Sequence, residues 1–194
     1  MDRTADELAG VVDLFGGLTS AELETALEEV AYRADGQSVD REATAAAVEA
    51  AIEDYALIRY EPTTPPLADL EQPLLVPGPT AFPYTPDHAE DVPHILDVPV
   101  RHPDRAAVGS AAERRFRRDV EVALTAESAA GARVDGVDDT TRGSGGVAET
   151  ATNGDASDRR SLEFLLDLSY DLEAWAPVDL AAERDRLETA LEEG

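Results

Sequence analysis

The sequence predicts a mainly helical α+β fold, and three observations carry that expectation. Up to Tyr55, apolar side chains recur at helical spacing behind three capping signals. At Ala56 the period changes to a short β-branched and aromatic run, which a second apolar run at Leu74 can answer. Beyond Pro103 helical stripes return, broken by an insert of Gly, Ser, Thr, Asp and Ala.

Thr4 with Glu7 and Thr19 with Glu22 both fit the capping box, in which a hydroxyl and a carboxylate three residues on satisfy each other's backbone N–H groups. Leu8, Val11, Val12 and Phe15 then make the buried stripe of a first helix, and Gly16-Gly17 can adopt the left-handed backbone that ends it. Leu23, Ala26, Leu27, Val30 and Ala31 repeat the pattern in a second helix. Asp40 caps a third, along which Thr44, Ala47, Val48, Ala51, Ile52 and Tyr55 share a face. A strand over Ala56–Glu61 and another at Leu74–Val76 follow, and Pro62, Pro65, Pro66 and Pro73 between them require a long loop instead of a tight hairpin.

Three helices followed by strand, loop and strand is the element order of a winged helix, and residues 1–80 resemble that superfamily in this respect. The resemblance implies DNA binding in many members and protein contact in others. A DNA-reading third helix needs outward donors, yet Asp40–Asp54 offers Arg41 and otherwise mostly carboxylates and Ala, with Glu42, Glu49 and Glu53 free to face outward. Gln37, Ser38 and Arg59 are the remaining groups near it able to touch phosphate, fewer than duplex binding requires.

Residues 81–102 carry a Pro every few positions, which predicts an extended arm without regular helix, pinned by Ile95, Leu96 and Val98. All three His residues lie here or at its edge: His88, His94 and His102. With Asp87, Glu90, Asp91 and Asp97 nearby they are the candidate metal ligands, but their spacing matches no known site and the arm is a poor rigid platform, so no metal and no cofactor are expected.

Residues 103–194 predict a C-terminal helical region. Pro103 or Ser110 opens a helix with Val108, Ala112, Phe116 and Val120 inward, and its other faces carry the one dense basic cluster of the chain, Arg114, Arg115, Arg117 and Arg118. These Arg side chains are the candidate contacts for phosphate or an acidic partner; the alternative is pairing with Glu113, Asp119, Glu121 or a carboxylate on another helix. Residues 129–158 hold too little apolar surface to offset chain entropy and are expected to be disordered. Leu162, Leu165, Leu166 and Ser169 restart the helical pattern, Pro177 ends it, and Leu180, Leu187, Ala190 and Leu191 form the seam of a last helix after Asp179. Tyr170 and Trp175 are read as core aromatics. The stretch Leu168–Leu180, together with Leu74–Pro83 and Pro93–Pro99, resembles an uncharacterised haloarchaeal family of unknown function, which implies a shared fold and no activity.

The composition points to the same habitat. Of 194 residues, 42 are acidic and 16 basic, Lys is absent, and the formal charge is −26. Such a chain repels itself at low ionic strength, but molar salt shortens the Debye length to about 3 Å and removes most of that repulsion. A halophilic, archaeal cytoplasm is the expected location. The absence of Cys excludes disulfides and thiolate chemistry, and no run reaches the roughly 18 apolar residues of a membrane span. Neither a phosphate loop, a nucleophile elbow nor an HExxH pattern is present, so the expected function is a non-enzymatic interaction or adaptor module whose partner is another protein. The alternatives are a DNA-associated winged-helix transcription regulator and an enzyme with a carboxylate/His site.

Overall fold

A computed structural model describes residues 4–36, 40–134 and 149–193. The elements run α1 (Ala5–Leu14), α2 (Ser20–Asp35), α3 (Arg41–Glu53), β1 (Leu57–Tyr60), β2 (Leu74–Pro77), α4 (Val92–Ile95), α5 (Arg105–Val134), α6 (Glu149–Trp175) and α7 (Ala181–Glu193). The protein is therefore mainly helical, with an antiparallel two-stranded sheet. The chain divides into two compact units, one of Met1–Ala112 with Trp175–Pro177 and one of Glu113–Ala174 with Val178–Gly194.

In the first unit both capping boxes form: the Thr4 and Thr19 hydroxyls accept from the Glu7 and Glu22 N–H groups, while each Glu carboxylate accepts from the Thr backbone N–H. Asp40 caps α3 by accepting from the N–H groups of Glu42 and Ala43. Leu8, Val11 and Val12 of α1, with its C-cap residue Phe15, are fully buried and pack with Leu23 and Leu27 of α2, Val48 and Ile52 of α3, and Leu57 and Leu75 of the sheet. Burying a side chain of this size contributes about 1.5–3 kcal/mol, so α1 at the centre is the organising helix.

The hairpin pairs Leu57 with Pro77, Ile58 with Val76, Arg59 with Leu75 and Tyr60 with Leu74. The link between α1 and α2 adds one more rung, because Leu18 and Leu75 exchange N–H···O bonds of 3.1 and 2.7 Å. Between the strands the Pro-rich loop stays long and contains one 3-10 turn at Leu67–Asp69. Tyr55, expected on the last turn of α3, instead lies beyond its end at φ +61 while fully buried. A left-handed Tyr is uncommon, and packing of its ring holds the sharp turn that starts β1. Gly78 crosses this turn so closely that a Cβ there would meet the Tyr55 carbonyl oxygen at 2.1 Å.

Two expectations for residues 81–102 are corrected. The arm does contain a helix, the single turn α4, because Pro93 sits in the first turn, where its missing N–H removes no helical bond. Ile95 is exposed; Ala89 and Val92 enter the core, with Leu96 and Val98 packed against it.

In the second unit Phe116 and Val120 of α5, Leu162, Leu165, Leu168 and Leu172 of α6, and Leu187 of α7 are buried, as their spacing requires. The Asp179 carboxylate accepts from the Ala181 N–H at the start of α7. Helix α5 runs without a break through Gly109 and on to Val134, and α6 begins at Glu149, so helix reaches into both ends of the segment expected to be disordered. An Ala-rich helix extends cheaply once nucleated, and an isolated Gly costs only about 1 kcal/mol. Residues 135–148 of that segment lie outside the described residues. Tyr170 is not a core residue: it is 53% exposed, with the Arg184 guanidinium over its ring at 4.2 Å. Trp175 is half-buried.

Candidate functional site

The arm is bound to α1 at both ends. At its start, the Phe82 N–H donates to the Asp6 carboxylate at 2.9 Å and the Tyr84 N–H to the Asp6 carbonyl at 3.0 Å. Gly10 permits this approach, since a Cβ there would lie 2.0 Å from the Tyr84 carbonyl oxygen. At its end, the Arg101 N–H donates to the Phe15 carbonyl at 2.7 Å, and the Arg101 carbonyl passes equally close to Gly16, whose φ is +69.

The Arg101 guanidinium closes the latch. It donates to both oxygens of Glu22 at 2.7 Å and to the Gly17 carbonyl at 3.0 Å. Its side chain is 5% exposed and that of Glu22 24%. Burial works to raise the Glu22 carboxyl, but the hydrogen bonds from Arg101 and from Thr19 outweigh it and hold the group below its ordinary value. Glu22 thus caps α2 and anchors the arm with the same carboxylate.

Between these ties the arm displays Phe82 and Tyr84, 80% and 57% exposed. A cleft of about 240 Å³ lies beside Tyr84, lined also by Glu7, Val30, Ala34, Asp87 and His88. His88 stands there at φ +68, exposed; His94, on α4, and His102, after Arg101, are exposed as well. Among the described residues no three His, Asp or Glu side chains come together as a metal site.

On α3, Glu42, Glu49 and Glu53 are exposed, as expected. The cations beside them are engaged within the fold: Arg41 pairs with Glu28 at 2.8 Å and Arg59 with Glu49 at 2.9 Å. Gln37 and Ser38 lie outside the described residues.

The basic cluster on α5 separates into two classes. Arg115 pairs with Asp119 at 3.4 Å; Arg117 pairs with Glu113 and Glu183, each at 2.9 Å. Arg114 and Arg118 are exposed and have no such partner among the described residues.

A family model described as "Family of unknown function (DUF7109)" matches residues 6–141 and 137–192. The chain belongs to this DUF7109 family. No curated protein and no solved structure matches it. Among the described residues of this DUF7109 chain, no helix is long and apolar enough to cross a membrane.

Arg101, Glu22 and Asp6 are the residues that sequence reasoning missed. Glu22 was legible as a cap, but its second role depends on a partner 79 positions away. The remaining signal was Arg101 itself, a lone cation among apolar and Pro residues in an arm that needs an anchor.

Proposed function

We propose that this DUF7109 chain is a non-enzymatic protein-interaction module of a halophilic, archaeal cytoplasm. The observation that carries the reading is the display of Phe82 and Tyr84 on a backbone already tied to α1 through Asp6. Large aromatics supply most of the energy of protein interfaces, and a segment whose backbone is fixed before binding loses little entropy on docking.

The acidic surface of α3 supports a protein rather than a nucleic acid as the partner. Glu42, Glu49 and Glu53 repel phosphate, and Arg41 and Arg59 would have to leave Glu28 and Glu49 to contact it. The competing reading, a DNA-associated winged-helix regulator, is favoured by one observation: Leu18 bridges to Leu75, so a third segment joins the hairpin behind three helices.

The test places a photo-crosslinking residue at position 82 or 84 of the full chain and irradiates in multimolar KCl. One recurring protein adduct, lost when the probe is moved to exposed Glu71, is the expected result. No adduct from either arm position, together with recovery of a defined duplex motif from a random pool, would replace the reading with the regulator.

A further inference from the structure

Carboxylates outnumber cations in this chain by 42 to 16, so an Arg without an internal partner is unexpected. Every other Arg whose side chain is described is held by a carboxylate or a backbone carbonyl. Arg114 and Arg118 alone of that set are not, and they stand one turn apart on α5. One turn further along the same face is Val122, 69% exposed.

We propose that Arg114, Arg118 and Val122 form a docking strip for an acidic amphipathic helix of a partner protein. This rests on the reading of the chain as an interaction module and names the chemistry of the partner. Side chains one turn apart on a helix lie about 5–6 Å from each other, so two partner carboxylates at the same spacing meet both guanidinium groups. Each guanidinium can grip a carboxylate through two parallel N–H···O bonds, a geometry that Lys would not provide. Val122 offers an apolar contact that persists when molar salt screens the ion pairs. On a chain with 42 carboxylates these two guanidinium groups are the local charge complement for an acidic segment, so close-range pairing at the strip sets position and register. A polyanion such as duplex DNA is a poorer occupant, because two phosphate contacts are too few to hold a duplex at high salt.

The test is fluorescence anisotropy with the full chain and labelled, stapled helical peptides. One peptide carries two Glu one turn apart and a Leu one turn further; a second has Gln for Glu; a third places the two Glu on opposite faces. Saturable binding of the first peptide only is expected. Binding should weaken about tenfold in Arg114→Ala/Arg118→Ala, weaken in Val122→Asp, and be unchanged in Arg41→Ala. Circular dichroism should show the double variant folded, as it breaks no ion pair or hydrogen bond among the described residues.

Equal binding of the Glu and Gln peptides, failure of all three to bind, or indifference to the double substitution would overturn the proposal. So would labelled duplex DNA or inorganic phosphate binding through the same two Arg in place of the peptide. Adducts from position 82 without peptide binding would remove this strip and leave the interaction reading standing; absence of both would remove both.

Discussion

Replacing Arg101 by Met tests whether one ion pair holds the arm against α1. Methionine keeps most of the apolar stem, so the change removes the guanidinium and little packing. Three hydrogen bonds disappear, two to Glu22 and one to the Gly17 carbonyl. Breaking a fully buried pair costs about 3–5 kcal/mol and an exposed one at most about 1. With side-chain exposures of 5% and 24%, this pair lies between those limits, and the expected loss is about 2–3 kcal/mol. At about 4 °C per kcal/mol for a unit of this size, Tm should fall by about 8–12 °C. Circular-dichroism melts in multimolar KCl measure it, and a double-mutant cycle with Glu22→Gln isolates the pair from the capping role of Glu22.

The pH dependence provides a second readout. Glu22 is held below its ordinary 4.5 in the folded chain, so the pair's contribution is complete above that value and is lost as pH falls through the lower folded one. The gap between wild type and Arg101→Met should therefore be widest near neutrality and narrow below about pH 4.5. A loss under about 0.5 kcal/mol, or a coupling energy near zero, would refute the latch and leave the backbone bond from Arg101 to Phe15 as the tie.

Gly10→Ala should cost about 1–3 kcal/mol, read as a lower denaturant midpoint, because its Cβ would lie 2.0 Å from a backbone oxygen that cannot rotate away. Arg184→Ala should lower the melt, since it removes bonds to Glu173 and Ser169 and the contact over Tyr170; Arg114→Ala/Arg118→Ala should leave it unchanged. Lowering KCl from molar to about 0.1 M lengthens the Debye length to about 10 Å and should expand or unfold the chain, which far-UV circular dichroism and small-angle scattering would register.

The helices were legible from residues three and four apart, because capping boxes and apolar stripes are local: Thr4 and Glu7, Thr19 and Glu22, and Leu8 through Phe15 need no distant partner to state their preference. The change of period at Ala56 and the Pro residues after Glu61 likewise announced two strands with a long loop between them. The α5 cluster was visible as a group, but its division into Arg117, engaged, and Arg114, without a partner among the described residues, was not. Helical spacing specifies a face, whereas Glu183 reaches Arg117 only once α7 has packed.

The same limit explains the misreadings. Tyr170 has the composition of a core residue and its helix turns it outward, under Arg184. Tyr55 has the spacing of a last helical turn, and burial drives it into a left-handed conformation that no local preference favours. Sequence alone therefore determined where helices start, which faces they bury and that the surface is strongly acidic. Tertiary structure decided that Glu22 meets Arg101, that Gly10 and Gly16 admit the arm, and which cations find an internal partner among the described residues, because each depends on groups that only the folded chain brings within hydrogen-bonding distance.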